Sequence, residues 1–372
     1  MSKKIIQIED NSVLLQEMWE AQLKADPLYK PGNYWDTYSK VFIPELKTKG
    51  LHDFKRRKFS ILGSFGATDL NLLTLRNLPT WLEKLKTKKI LWHAVPHISD
   101  VIEWILKPIE RLYLKQFSAN DVFDYFYPRI SEKFSQKGWD LKNFSMSDIG
   151  NPDEKVPYDG KIWSRHHLEM ASIFIEALEK SEFPKDGTLV EIGPGIGRNT
   201  EFFATAYPDA TIILFDIVPQ IYVLNQYLKK RFPERFISYE QTRSVELKKI
   251  SSYKGKILLF PTWDIPNFKK LKIDYFWNSA SFQEMEPFIV KNYLEIIKSM
   301  SPDYIYLNQL PTGNYWGENP SENGGTKEPV TESLYQKGLE SNYVRIHTYA
   351  TNYLLRKPDY YSYIFRKKNE TN

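Results

Sequence analysis

The 372-residue chain contains no cysteine. That excludes a disulfide framework, a thiolate nucleophile and any zinc site built on sulfur. It fits a reducing, cytoplasmic setting. Histidine is scarce, at six residues. Neither these nor the aspartates show compact ligand spacing, so no metal site is predicted. Long apolar runs are missing as well: nowhere do about 18 consecutive apolar residues occur, which leaves no stretch for a membrane-spanning helix. The N-terminal segment turns charged again at Glu9 and so lacks the apolar core of a secretory signal. No internal repeat or low-complexity tract is present.

A strong charge of one sign is also lacking. The net charge is +5, with 23 Lys and Arg against 18 Asp and Glu in residues 1–150, and 28 against 28 in residues 151–372. A nucleic-acid partner calls for a broader basic face with interleaved aromatics. The run Lys55, Arg56, Arg57, Lys58 reads as a solvated loop or helix end. Aromatic residues, in contrast, are plentiful: 10 Trp, 24 Tyr and 22 Phe supply ample core material and argue against global disorder. At about 150 residues per domain, the length suggests a mainly helical N-terminal region over 1–150 and a second unit over 151–372.

Apolar residues recur at helical spacing in 11–24 and again in 101–114, where Pro108 interrupts the pattern. Residues 145–161 are rich in Ser, Gly, Pro and Asp and read as a connection. Ser164 is placed to cap a helix over 165–180. From Gly187 onward the pattern changes. Short apolar strands at 188–192, 211–217, 256–260, 273–277 and 303–307 alternate with helices at 199–207, 219–232 and 286–300. Such βα alternation predicts a doubly wound, mostly parallel sheet. Segments 343–348 and 360–365, around a turn at 357–359, look like an antiparallel closing pair. Residues 236–253 carry no clear pattern.

Between the first strand and its helix lies Glu191, Ile192, Gly193, Pro194, Gly195, Ile196, Gly197. Glycine suits a sharp turn that a ligand must approach without Cβ interference, and the helix beyond presents free N–H groups. The next strand ends in Asp216, whose carboxylate can accept from both hydroxyls of a ribose. A dinucleotide turn has the spacing G-x-G-x-x-G; here it is G-x-G-x-G, and Arg198 stands where the third dinucleotide glycine belongs. With the acidic Glu191 two places ahead, the motif resembles the first motif of class I S-adenosylmethionine-dependent methyltransferases. That resemblance implies a Rossmann-like fold and S-adenosylmethionine as cofactor. A nicotinamide or flavin cofactor and a plain tight turn are the other readings of the same residues.

The fourth strand runs into Asn278, Ser279, Ala280, Ser281, Phe282, Gln283, Glu284, Met285. Together with Gly150, Asn151, Pro152 and the stretch Trp163 to Glu169, this segment resembles a bacterial family of sugar O-methyltransferases over roughly residues 145–310. The resemblance implies methylation of a sugar hydroxyl, in cell-surface glycan or nucleotide-sugar biosynthesis. A sugar hydroxyl is a poor nucleophile at neutral pH, so a general base is useful. Glu284 is the first candidate; its other reading is a carboxylate placed by a helix dipole. His166 and His167 come next. Neighbours on a helix point about 100° apart, so one of the two faces the cleft.

Arg165 is a candidate partner for the cofactor carboxylate, with a surface ion pair as its alternative. Trp263 and Asp264 follow the third strand, where the resemblance implies the adenine, and Asn278 is grouped with the cofactor site. Ser281, Gln283, Asn308, Gln309 and Trp316 are candidates for the acceptor; Trp316 lies in a Gly-rich, aromatic loop at 312–325 that reads as a lid. Methylation of another small molecule or of RNA, and a catalytically idle module of the same fold, are the competing functions.

Overall fold

The computed structural model describes residues 8–56, 119–314, 326–351 and 360–369. The helical pattern at 101–114, Trp316 and the turn at 357–359 lie outside the described residues. Helix α1 (Ser12–Lys24) starts where the Asn11 side chain accepts the Leu14 N–H and buries Leu14, Leu15 and Met18. Helix α2 (Asn33–Lys49) ends at Gly50, whose φ of 65° only glycine adopts cheaply. Helix α3 (Ala119–Gln136) follows. The connection expected at 145–161 contains a hairpin of β1 (Val156–Tyr158) and β2 (Lys161–Trp163). Asp159 and Gly160 turn it with φ of 49° and 73°, the positive pair that matches strand twist.

Ser164 caps α4 (Arg165–Glu179) by accepting the His167 N–H. The βα alternation then runs β3 (Thr188–Ile192), α5 (Arg198–Ala206), β4 (Thr211–Asp216) and α6 (Gln220–Arg231). The stretch without a clear pattern holds β5 (Phe236–Ile237) and the short α7 (Tyr239–Thr242), which begins in a capping box of Ser238 and Gln241. There follow β6 (Ile257–Pro261), β7 (Tyr275–Ser279), α8 (Pro287–Met300), β8 (Tyr304–Gln309), α9 (Glu332–Leu339), β9 (Tyr343–Ala350) and β10 (Tyr361–Lys367).

The main sheet has the order β5-β6-β4-β3-β7-β8-β10-β9. The first six of these strands are parallel; β10 runs antiparallel between β8 and β9. This is a Rossmann-like α/β fold with a helical N-terminal region. Alternate residues of each strand feed two cores. Leu189, Ile212 and Leu214 belong to one; Val190, Ile192, Ile213 and Phe215 belong to the other. Helices α1 to α6 cover the first face, so the described N-terminal helices share its core, while α8 and α9 cover the second. Fully burying each of these aliphatic or aromatic side chains contributes about 1.5–3 kcal/mol, and parallel strands need both faces covered. Among the described residues no helix is long and apolar enough to cross a membrane.

Strand order reverses between β3 and β7. In an open α/β sheet a crevice forms there, beyond the carboxyl ends of the strands. The segments at that end are 193–197 after β3, 217–218 after β4, 262–264 after β6 and 280–286 after β7.

Candidate functional site

Gly193, Gly195 and Gly197 all have positive φ, at 71°, 59° and 79°. Their surroundings differ. A Cβ on Gly193 would lie 2.2 Å from Ser281 Oγ, and one on Gly197 would lie 2.8 Å from Leu224 Cδ1. Packing inside the protein demands those two glycines. A Cβ on Gly195 would meet nothing within 4 Å. The middle of the turn therefore borders open space, as a backbone cradle for a ligand does.

Two buried carboxylates hold this turn. Glu191 accepts from Asn199 Nδ2 at 3.0 Å and Thr200 Oγ1 at 3.2 Å, so it ties β3 to the first turn of α5. Burial pushes its carboxyl up to about 7 against those two hydrogen bonds. Asp216 accepts the Gly195 N–H on Oδ2 at 3.0 Å and the Ile217 N–H on Oδ1 at 2.8 Å. Its pKa rises to about 8: burial dominates, two backbone N–H groups oppose it, and the Glu191 charge adds to it.

The polar residues after β7 and β8 are joined to one another. Asn278 donates to Ile192 O at 2.7 Å, and Gln309 Nε2 donates to Asn278 Oδ1 at 2.6 Å. The Gln283 N–H reaches Gln309 Oε1 at 3.2 Å, Gln283 Oε1 accepts the Leu310 N–H at 2.7 Å, and Gln283 Nε2 donates to Tyr360 OH at 2.8 Å. Asn308 donates to Ser279 Oγ at 3.3 Å and accepts from Thr351 Oγ1 at 2.8 Å. Buried amides are costly unless paired, and this lattice pairs them. It fixes the 280–286 segment, where Ala280 sits at φ 58°, a strained value for a residue with a Cβ. Of the predicted acceptor residues, Ser281 faces the glycine turn, whereas Gln283, Asn308 and Gln309 spend their side chains on the lattice, as does Asn278, predicted for the cofactor site.

Glu284 lies in the crevice. Its Oε2 accepts the indole N–H of Trp35 at 2.7 Å. Its carboxyl is pushed up to about 8, chiefly by burial; the Trp35 hydrogen bond opposes this and the Asp216 charge adds to it. Tyr34 stands close enough that the Glu284 charge, after burial itself, raises its phenol. The Tyr34 ring centroid is 5.4 Å from that of Trp35 and 4.7 Å from that of Tyr38. Sequence reasoning missed these three aromatics and Tyr360. Their one local signal is the spacing 34, 35, 38, which is neighbouring on a helix but does not say what that helix meets.

The histidines part ways. His167 Nε2 is 2.7 Å from Phe144 O, and its ring stacks 5.0 Å from Phe202. Burial lowers its pKa to about 4, against the pull of Glu201. It lines a small pocket with Phe144, Ser145, Glu201, Phe202, Thr205 and Arg231, and the structure does not bring it to Glu284. His167→Ala is expected to lose about 1–3 kcal/mol of stability by stranding the Phe144 carbonyl and to leave ligand affinity at the glycine turn unchanged. Thermal unfolding and calorimetry check both, and a selective loss of affinity would return His167 to the site.

His166 stands nearer the turn. Arg198 donates to its Nε2, and Nδ1 faces Glu169 Oε2 at 3.1 Å, which places the proton on Nδ1. Arg165 is engaged by Glu154, through its backbone N–H at 2.8 Å and through Nε. Trp263 and Asp264 are partly exposed beyond β6, and burial raises the Asp264 carboxyl against the pull of Arg243.

No protein-family model and no curated protein matches the chain. Solved structures do. The chain is similar to the pyocyanin biosynthetic protein PhzM, with 12% identity and a TM-score of 0.36, over 54% of this chain and 57% of that one. It thus spans little more than half the length of that protein. It is similar to magnesium protoporphyrin IX methyltransferase (ChlM) from Synechocystis PCC 6803 with bound SAM, at 12% identity and a TM-score of 0.36, over 55% and 80% of the two chains. A SAM dependent methyltransferase from Aquifex aeolicus is similar at 13% identity with a TM-score of 0.32, over 52% and 88%.

Proposed function

We propose that the chain is an S-adenosylmethionine-dependent O-methyltransferase acting on a sugar hydroxyl. The observation that carries this reading is the glycine turn at the switch point: Gly195 borders open space, and its N–H is held by the carboxylate that ends the next strand. The residues present fit the cofactor. Gly193 to Gly197 cradle it, and Asp216 takes the ribose. Each Asp216 oxygen spends one lone pair on a backbone N–H and keeps another for a hydroxyl. Trp263 and Asp264 offer a flat face and an acceptor for the adenine. When bound, the cofactor supplies a methyl group on a sulfonium, and its transfer leaves a neutral thioether.

Glu284 takes the proton of the acceptor hydroxyl as the new O–C bond forms, and the O–H electron pair stays on oxygen. A carboxylate near pKa 8 is a far better base at neutral pH than an ordinary one. Turnover is limited by its ionisation and rises with pH toward that value. Asp216 and Glu284 together also suit a cationic ligand, because two neighbouring carboxylates each disfavour the other's charge until a positive group joins them. Tyr34, Trp35 and Tyr38 give partly exposed rings beside Glu284, a surface that suits the C–H face of a sugar. The likeness of residues 278–285 to sugar O-methyltransferases supports the same acceptor, and the absence of cysteine fits a cytoplasmic place.

A mass-spectrometric screen of sugars and nucleotide sugars with S-adenosylmethionine tests the acceptor. One added methyl on a sugar is expected; methyl transfer only to RNA or to a non-sugar small molecule overturns it. Gly195→Val tests the cofactor. The new side chain meets no protein atom within 4 Å at Cβ, so the fold survives a left-handed strain of about 1–2 kcal/mol, while the cradle is filled. Calorimetry is expected to show at least about a tenfold weaker affinity, about 1.4 kcal/mol. Wild-type affinity would remove the turn from the site.

A further inference from the structure

The N-terminal region touches the functional end of the sheet beyond β4, β6 and β7. The Val218 N–H, just past β4, donates to Gln22 Oε1 at 2.7 Å, and Gln22 Nε2 reaches back to Val218 O at 3.4 Å. Thr262, just past β6, donates to Tyr29 O at 2.7 Å. Past β7, Glu286 Oε1 accepts the Asn33 N–H at 3.1 Å and Glu284 Oε2 accepts the Trp35 indole at 2.7 Å. The docking of α2 is tight. A Cβ on Gly32 would lie 2.1 Å from Glu286 Oε2, so a larger residue there would have to displace that side chain.

We infer that Trp35 is a positioning residue for Glu284, holding one carboxylate oxygen so that the other meets the acceptor hydroxyl, and that α2 thereby completes the acceptor side of the site. This rests on the assignment of Glu284 as proton acceptor. Among the described residues, Trp35 makes the one hydrogen bond to that carboxylate. A carboxylate rotates about its last bond unless something holds it, and a donor in an enclosed crevice does so with a charge-assisted bond. The other groups facing it neither donate to it nor neutralise it. Tyr34 comes from α2, with Tyr38 and Tyr360 beside its phenol, and Asp216 ends β4. The Trp35 ring is set by its neighbours: its centroid is 6.1 Å from that of Tyr38 and 6.2 Å from that of Phe42.

The indole N–H signal of Trp35 in ¹⁵N-tryptophan-labelled full-length protein reads this bond without any acceptor. It is expected to titrate with a midpoint well above the ordinary carboxylate range and to become flat in Glu284→Gln. A Trp35 signal that does not titrate, or titrates identically in Glu284→Gln, overturns the proposal. Once the acceptor is known, Trp35→Phe keeps the ring packing and deletes the donor. The ionised carboxylate then loses a hydrogen bond that the neutral acid needs less. The acid limb of the pH–turnover profile should move upward and turnover at pH 7 should fall about tenfold or more, with KM for the cofactor unchanged. A merely structural role lowers turnover evenly at every pH, and that result overturns the proposal. Full turnover in Glu284→Gln would overturn the function assignment itself. A wild-type profile in Trp35→Phe with Glu284→Gln inactive would overturn the positioning role alone.

Discussion

Glu284→Gln is expected to cut turnover by about 10²–10⁴-fold, the span that a positioned general base contributes. The amide keeps the shape and still accepts the Trp35 indole N–H through its oxygen, so the crevice stays assembled. What it loses is the ability to take a proton from the acceptor. Cofactor affinity should change little, since the cradle at Gly193 to Gly197 and the Asp216 carboxylate are untouched. The wild-type profile should rise with pH as Glu284 ionises, starting from about 8 in the ligand-free protein. A bound cation beside it moves that midpoint down. Steady-state turnover of both proteins across neutral pH checks this. Full activity in the variant would reduce Glu284 to a carboxylate placed at a helix start.

Asp216→Asn is expected to weaken the cofactor by about 1.5–3 kcal/mol, because ribose hydroxyls lose a charge-assisted acceptor. The variant should also change how stability depends on pH. Asp216 and Glu284 are raised to about 8 and Glu191 to about 7. A carboxyl whose folded pKa is raised holds its proton longer in the folded chain than in the unfolded one. Unfolding then releases protons, so ligand-free stability falls as pH climbs from the ordinary carboxylate range, near 4, to about 8. Removing one of the three groups flattens that slope. Thermal unfolding between pH 5 and 9, with and without S-adenosylmethionine, measures both effects. Unchanged affinity would take Asp216 out of the site, and an unchanged slope would show that it ionises normally.

Cost and function coincide at these carboxylates. Asp216 and Glu284 at the crevice, and Glu191 tying β3 to α5, oppose folding at neutral and alkaline pH, since each desolvated charge lacks a cationic partner among the groups that set its pKa. A cationic ligand supplies that partner. The same bonds that strain the free protein therefore favour the bound one, and ligand binding should raise the unfolding temperature more at pH 8 than at pH 5.

The amino-acid sequence by itself determined the sheet and its glycine turn. Runs such as Thr188–Ile192 and Thr211–Asp216, punctuated by glycine and followed by helical spacing, are local patterns, and local dihedral preference and side-chain periodicity specify them. The acidic end of β4 and the polar end of β7 were legible for the same reason: they occupy known places relative to strand ends. Two-residue β5 and four-residue α7 were not legible, being too short for any period to show. The roles of the polar residues were decided only by tertiary structure. Asn278, Gln283, Asn308 and Gln309 look like ligand contacts in a string of letters, yet the fold brings their amides within reach of each other, and burial compels them to pair. His167 looked catalytic until packing on Phe202 and the Phe144 carbonyl enclosed it. The contact that completes the candidate base, Trp35 with Glu284, spans 249 residues. It exists because the apolar faces of α1 and α2 are buried in the core on one face of the sheet, and that docking carries the start of α2 to the carboxyl end of β7. No local pattern encodes such a meeting, since it depends on where two surfaces come to rest.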